Sequence, residues 1–195
     1  MNIAFYGEQR TPSRCGRLDQ ACAFGVMPVN MTFDGNEVFV DKIKVKKPLY
    51  WVFSELNGSK DTVKILSDLN KCYPFAETEI EKNVQKALGI ENEKLIAKAT
   101  KAIESGDAEQ VGSLMVEAQN MFDSMVAPAS PKELAAPQLH KVLNDENIKK
   151  YTYGAKGVGS QGDGSVQFLA KDEQSQAELI KYIKDEYNMD GFTLT

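Results

Sequence analysis

The chain has 195 residues, of which 42% are hydrophobic and 26% charged, so its composition excludes a disordered, collagen-like or low-complexity protein. Its 28 acidic side chains outnumber 23 basic ones, and the net charge of -5 argues against binding to nucleic acid, which needs a basic face. The longest apolar run, at 49–53, is far shorter than the roughly 20 residues that cross a bilayer. Three cysteines and one histidine exclude a disulfide framework and a histidine-rich zinc site. We expect a soluble, cytoplasmic protein.

The first third of the chain predicts the end of a helix and several strands. Residues 1–8 are typical of the last turns of an apolar helix. Alternating apolar residues with an Asp-Gly turn at 34–35 predict short strands over 25–45. Aromatic and branched residues at 49–56 predict a stronger strand, after which Ser59 is expected to cap a helix.

Helical periodicity dominates the middle of the chain. Apolar residues recur at spacings of three and four over 80–88, 95–103 and 108–125. Gly89 and Gly106 are the expected ends of the first two segments, since glycine commonly terminates helices.

The last third predicts helices followed by a strand, a helix and a strand. Ser130 with a proline behind it predicts a helix start, and Pro137 a restart of the same helix. Residues 166–170 and 191–195 predict strands on either side of a helix at 177–187. Together the elements predict an α+β fold, a compact unit with the edge of an incomplete N-terminal domain.

A glycine-rich segment, Gly154–Ser165, is the first candidate for chemistry. Its glycines free the backbone to turn N–H groups toward one centre, an arrangement that suits an anion. The segment precedes a strand, whereas Walker and Rossmann loops follow one, so it belongs to neither class. Asp163 argues against simple phosphate binding, because it would repel the ligand unless a metal or Lys156 lay between them. By itself the segment fits a structural turn equally well.

Two polar segments are further candidates. In Ser13–Gln20, the carboxylate of Asp19 follows a glycine turn and has two arginines nearby, which can keep it ionised and directed at a substrate hydroxyl. A solvated charged loop is the alternative interpretation. Asn57–Thr62 lies where a strand opens into a helix, a common position for ligands, and a capped helix start explains it as well.

The order of three motifs resembles that of the GHMP small-molecule kinases, in particular the galactokinase type. Ser13–Gln20 is similar to their C-G-x-M-D-Q segment. Gly112–Glu117, with an acidic residue and a Glu-Leu pair behind it, resembles their G-x-L-M-x-E helix and the P-E-L that follows. Gly154–Val166 is similar to their G-A-[KR]-x-T-G-G-G-x-G-G-C motif. The motifs occur in family order, with family-like separations, and cover most of the chain.

This resemblance implies ATP-dependent phosphorylation of a small hydroxylated metabolite, with a monosaccharide as the expected substrate and ATP and Mg²⁺ as cofactors. In the family the aspartate of the D-Q pair faces the sugar hydroxyl as base or as electrostatic anchor, which here is Asp19. By position, the expected substrate contacts are Arg17, Gln20, Asn57 and Asp61. The expected supports of the phosphates and the active site are Lys156, Gly159, Ser160, Gly162 and Gly164.

The chain departs from the family pattern in three ways. An extra arginine, Arg17, stands beside the aspartate and can contact a carboxylate or phosphate of the substrate. The glycines of the loop are interrupted, so the loop is expected to be less open to phosphate; the interrupting residues are Ser160, Gln161 and Asp163. The nucleotide loop P-x-x-x-G-[LM]-[SG]-S-[SA] of the family has no match in the chain.

From these departures we expect a fragment of a longer kinase that is inactive alone. Residues 1–56 are interpreted as the remnant of an N-terminal kinase domain, and residues 57–195 as the family's C-terminal α+β domain. The face left by the missing half predicts self-association. Two hypotheses stay open beside this one: a non-catalytic sugar-binding or regulatory module, and an interaction domain in which both loops are only turns.

Overall fold

The structure is a computed structural model that describes residues 2–11, 25, 27–35 and 37–194. Contacts divide the chain into two units, Met1–Val45 and Lys46–Thr195. The division expected from the sequence fell after residue 56, whereas the strand at 50–55 is hydrogen-bonded within the sheet of the second unit. Among the described residues, no helix has the length and apolar character needed to cross a membrane.

The first unit contains a helix and a hairpin, in agreement with the sequence patterns. Helix α1 spans Asn2–Glu8. Strands β1 (Val29–Asp34) and β2 (Glu37–Lys42) pair antiparallel. Gly35 in the connecting turn has a φ of +55°, a left-handed conformation that glycine adopts without strain.

The second unit is built on an antiparallel sheet with the strand order β4-β5-β3-β6. Its strands are β3 (Tyr50–Glu55), β4 (Thr152–Gly157), β5 (Ser165–Ala170) and β6 (Gly191–Leu194). The sequence predicts β3, β5 and β6 but not β4, where the glycine-rich segment begins as a strand. The glycine-rich loop proper is therefore the connection of the β4–β5 hairpin, residues 158–164.

Helices of the second unit follow the predicted periodicity. They are α2 (Thr62–Asn70), α3 (Glu79–Lys86), α4 (Asn92–Ser105), α5 (Ala108–Met121), α6 (Pro137–Leu143), α7 (Glu146–Tyr151) and α8 (Glu173–Tyr187). Gly106, with a φ of +69°, ends α4, as expected from the sequence. A wide turn with non-helical angles at Gly89 joins α3 to α4, which also agrees with a stop at that glycine.

Two predicted helix starts are wrong. The side chain that caps α2 belongs to Asp61 rather than Ser59, because its carboxylate accepts the N–H of Lys64 at 2.9 Å. The segment that begins at Ser130 is a turn, in which the N–H of Leu134 donates a hydrogen bond to the Ser130 carbonyl at 2.9 Å. Helix α6 begins at Pro137, whose fixed φ and missing N–H suit the first helical position.

Apolar side chains cover both faces of the sheet. Neighbouring residues of a strand point to opposite faces, and Phe168 and Leu169 of β5 are both fully buried. Phe168 packs in a cluster with Val52 and with apolar residues of α6, α7 and α8. Leu169 belongs to a second cluster with residues of α4 and α5. These two layers hold the β4–β5 hairpin between α5 on one face and α6 on the other.

Helix α5 and strand β4 touch backbone to backbone. A side-chain carbon on Gly154 would collide with the carbonyl group of Gly112, and one on Gly112 would lie 2.5 Å from Tyr153. Glycine at both positions allows this approach, since no side chain separates the helix from the strand. The contact holds the N-terminal half of α5 against the start of β4, the strand that leads into the glycine-rich loop.

Candidate active site

The glycine-rich loop keeps a hairpin geometry and is open at its tip. The N–H of Val158 donates to the Ser165 carbonyl at 3.1 Å, and Gly159 and Gly162 have φ angles of +62° and +69°. A side-chain carbon on Gly159 would meet no atom within 4 Å. The tip thus presents backbone to solvent in the left-handed conformation that anion-binding loops use.

Lys60, in the turn after β3, lies across this loop. Its Nζ donates to the Gln161 carbonyl at 2.7 Å. A side-chain carbon added to Gly164 would lie 2.7 Å from this Nζ. One added to Gly162 would lie 3.3 Å from carbon atoms of the Lys60 side chain. Burial lowers the pKa of Lys60, while the charge of Glu55 acts to raise it. Glycine at 162 and 164 makes room for this cation.

The side chain of Asp163 is hydrogen-bonded to the start of helix α6. Its Oδ1 accepts the N–H of Leu139 at 2.9 Å, in the first turn of α6. This bond satisfies a backbone donor that has no partner within the helix. The backbone of Asp163 also touches the turn after β3, since a side-chain carbon on Gly58 would lie 2.6 Å from the Asp163 carbonyl oxygen. The interruption of the glycines at 163 therefore serves the packing of the loop.

A third segment completes the site around Glu133. Its Oε2 accepts the N–H of Asp61 at 2.9 Å. Its carbonyl oxygen would lie 3.1 Å from a side-chain carbon on Gly162. Three segments that are distant in sequence, 57–61, 130–139 and 158–164, are thereby brought together.

Helix α5 anchors the loop where it leaves β4. Gln119 Oε1 accepts the N–H of Gly157 at 2.8 Å, and Gln119 Nε2 donates to Asp123 at 2.8 Å. The adjacent Lys156 Nζ donates to the carbonyl of Gly157 at 2.7 Å, and burial lowers the pKa of Lys156. A second ammonium group therefore lies close to the loop.

Gln161 fills the inside of the loop. Its side chain is only 5% exposed and packs against Gly157, and its backbone φ is +63°. Among the described residues, its Oε1 is buried without a hydrogen-bond partner. Leaving a buried acceptor unpaired destabilises a fold by about 1–3 kcal/mol.

The predicted site residues divide into three groups. Asp19, Arg17 and Gln20 lie outside the described residues. Asn57 and Asp61 adjoin the loop, but their side chains bind backbone: Asn57 donates to the Asn188 carbonyl at 3.1 Å, and Asp61 caps α2. The loop itself carries or adjoins the expected phosphate supports, which are Lys156, Gly159, Ser160, Gly162 and Gly164.

Sequence reasoning missed the residues that hold these segments together. Lys60 lies within the candidate segment Asn57–Thr62, but only folding brings its side chain to the glycine-rich loop. Gln119 comes two residues after the segment Gly112–Glu117 on α5. The helical spacing of apolar residues there does not predict its hydrogen bond with Gly157. Within the described ranges, no group of three or more His, Cys, Asp or Glu side chains could hold a metal ion.

Comparison with known proteins identifies the fold. No family model and no curated protein matches the sequence. Among solved structures, the chain is similar to L. major mevalonate kinase in complex with R-mevalonate (TM-score 0.71, 18% identity, 98% of this chain and 56% of that one). It is also similar to Lactococcus lactis galactokinase complexed with galactose (0.65, 15%, 92% and 54%). Homoserine kinase from Cytophaga hutchinsonii matches as well (0.62, 13%, 100% and 56%).

These neighbours are all GHMP kinases, and the chain has their α+β fold. The resemblance seen in the motif order and the predicted fold class are both confirmed at this level. The chain spans about half the length of the solved structures it matches, 56% and 54% for the first two.

Proposed function

We propose that the protein takes part in ATP-dependent phosphorylation of a monosaccharide hydroxyl. The observation that carries this proposal is the glycine-rich loop, which is anchored by three segments and flanked by the ammonium groups of Lys60 and Lys156 in a fold shared with small-molecule kinases. The neighbour structures include a galactokinase complexed with galactose, which supports a sugar as substrate.

In this proposal the loop and its lysines receive the phosphates of ATP. The left-handed Gly159 leaves the loop tip open to an anion, and two nearby cations neutralise phosphate charge. Magnesium would be held chiefly by the ATP phosphates, since Mg²⁺ is usually bound by one or two carboxylates together with phosphate and water.

Asp19 is proposed to face the substrate hydroxyl as base or as electrostatic anchor, with Arg17 and Gln20 as substrate contacts. Because the side chains of Asn57 and Asp61 are bound to backbone groups, we assign these two residues the role of shaping the turn after β3. In that turn Lys60 is the group that reaches the loop.

The test is ADP formation with a panel of galactose, other hexoses, galacturonate, mevalonate and homoserine, measured on a protein that joins the family's nucleotide loop to this chain, because the chain without that loop is expected to be inactive. We expect turnover with a monosaccharide and a loss of about 100-fold or more in Asp19→Asn, the range of a lost acid–base group. Asp185→Asn, an exposed position on α8, is the matched control and should keep full activity. Turnover of mevalonate or homoserine without any sugar would contradict the substrate class, and no ADP with any compound would contradict the kinase.

Arg17 allows a sharper test of the substrate. If it contacts an acidic group, Arg17→Ala raises the KM for galacturonate and leaves the KM for galactose unchanged. An equal change for both sugars would mean that Arg17 does not recognise the carboxylate.

A non-catalytic sugar-binding module is the second candidate. The observation that favours it is the loop interior, which is filled by the buried side chain of Gln161 while Asp163 is engaged with α6. This candidate predicts saturable sugar binding by calorimetry without ADP formation, and no effect of Asp19→Asn in a cell assay. Phosphate transfer to the bound sugar would exclude it.

A further inference from the structure

A second cleft lies at the free edge of strand β4, apart from the glycine-rich loop. It has a volume of about 480 Å³ and is lined by α5 and the residues after it, α6, α7 and residues 152–155 of β4. None of residues 158–164 lines it. Its size is in the range of pockets that bind small molecules, roughly 300–1,000 Å³.

Ala155 of the edge strand β4 lies in the lining of this cleft. The bond from the N–H of Val158 to Ser165 of β5 sets the alternation along β4. Counting back from Val158, the backbone N–H and C=O of every second residue point to β5, and those of the residues between point to the free edge. Gly157 fits this alternation, because its N–H points away from β5 and donates to Oε1 of Gln119. Ala155 lies two residues earlier, and its N–H and C=O have no partner on this side among the described residues.

Only a short length of this edge is accessible. Gln119 occupies the N–H of Gly157 at one end, and a register shift between Thr152 and Gly154 interrupts the ladder at the other. Helix α5 covers the face of β4 at Gly154, and α6 covers the opposite face at Gly157. A peptide strand needs several consecutive edge residues, whereas a small planar molecule needs one donor beside one acceptor.

The rest of the lining suits a flat ligand with hydroxyl groups. Apolar side chains contribute walls from α5, α6 and α7; they are Val116, Leu143 and Ile148. Polar side chains surround these walls: Asn120, Asp123, His140 and Asn144.

The charges of the cleft favour a neutral ligand. Asp123 Oδ1 accepts from Gln119 at 2.8 Å and lies 3.8 Å from Nε2 of His140. Lys149, a cation of the lining, is paired with Glu146 at 2.7 Å. The carboxylate of Asp123 inside the cleft would repel a phosphate.

The geometry points to a nucleoside as the ligand of this cleft. The donor and acceptor on the edge of its base pair with the C=O and N–H of Ala155, and the apolar walls cover the faces of the base. The sugar hydroxyls bind the carboxylate of Asp123 and the carboxamides of Asn120 and Asn144. This site differs from the loop, where the proposed ligand is the phosphate chain of ATP.

Calorimetric titration of the protein with uridine and with adenosine tests the proposal. We expect saturable binding of at least one of them. The counterpart with a blocked base edge, 3-methyluridine or N6,N6-dimethyladenosine, should bind roughly tenfold or more weakly, as for a lost hydrogen bond. Absence of binding by both nucleosides, or equal binding of the blocked counterpart, would overturn the proposal.

A matched pair of variants places the ligand. Val116→Trp fills the cleft from a position that is 42% exposed, so the fold tolerates it, and it should abolish nucleoside binding. Val63→Trp, at a 54% exposed position on α2 outside the cleft, is the control and should bind as the unmodified protein does. Binding that survives Val116→Trp would place the nucleoside elsewhere and overturn the assignment.

Discussion

Asp163 joins the glycine-rich loop to α6 through the N–H of Leu139. Asp163→Ala removes this acceptor, and we expect the free energy of unfolding to fall by about 1 kcal/mol, as for a lost helix cap. Asp163→Asn keeps an oxygen acceptor and should lose less. Urea unfolding followed by Trp51 fluorescence measures both variants. A loss in Asp163→Asn as large as in Asp163→Ala would show that the hydrogen bond is not the stabilising contact.

Gln161 presents the opposite case, because its buried Oε1 has no hydrogen-bond partner in the part of the chain that the structure describes. Gln161→Met keeps the length of the side chain and removes the unpaired oxygen, so we expect the free energy of unfolding to rise by about 1 kcal/mol. Gln138→Met, at an exposed position on α6, is the control and should change it little. The same urea titration decides the matter. A destabilised Gln161→Met would mean that the carboxamide contributes to the fold.

At the scale of elements, the glycine contact between α5 and β4 sets the position of the loop. Gly154→Ala would place a side-chain carbon against the Gly112 backbone, which cannot move aside without displacing the helix. We expect a loss of at least about 2 kcal/mol in the free energy of unfolding, as for overpacking. Ser113→Ala, exposed on the same helix, is the control. A change in Gly154→Ala no larger than in the control would contradict the close approach.

The start of α7 is joined to α8 by hydrogen bonds to one carboxylate. Asp145 Oδ2 accepts from the hydroxyls of Tyr182 at 2.8 Å and Tyr187 at 2.6 Å, and Oδ1 accepts the N–H of Asn147. Burial acts to raise the pKa of Asp145, but these hydrogen bonds outweigh it and hold the pKa below its usual value. Burial, together with the carboxylate, raises the pKa of both tyrosines.

These shifts predict a loss of stability at both ends of the pH range. The lowered pKa of Asp145 stabilises the fold above the unfolded pKa of about 4, and this stability disappears as the pH falls through the folded pKa. The raised tyrosine pKa values stabilise the fold below pH ~10, and that stability is lost in more alkaline solution. Urea unfolding at a series of pH values measures both limbs.

Asp145→Asn isolates the acid limb. The difference in unfolding free energy between this variant and the unmodified protein should be largest at neutral pH and should shrink in acid, because protonation removes the same charge. Asp185→Asn, exposed on α8, serves as the control. A difference for Asp145→Asn that does not depend on pH would contradict the assignment.

Local pattern predicted much of the fold and little of the site. Gly106 ends α4 as its sequence indicates, because a positive φ at a helix end is a local property. Strand β4 was missed since its glycines have low strand propensity, and its pairing with β5 and packing against α5 decide its conformation. The contact of Lys60 with Gln161 joins residues 101 positions apart, so no local pattern contains it.

At the scale of the whole molecule, the second unit contains both apolar clusters. We therefore expect residues 46–195, produced alone, to fold and to unfold in one cooperative step. Trp51 packs against one of these clusters, so its fluorescence and the far-ultraviolet circular dichroism should report the same transition. Transitions at different urea concentrations, or a gradual change without a plateau, would show that the unit is not independent.

The connection of the β4–β5 hairpin is held in place from two sides, by Asp163 on α6 and by Lys60 on the Gln161 carbonyl. A segment tied in this way is a poor candidate for a lid, because folding over a ligand would break both bonds. An anion that arrives there meets backbone groups already oriented, so little conformational entropy is lost on binding. Any movement that shields a reaction at this surface from water must therefore come from a different segment.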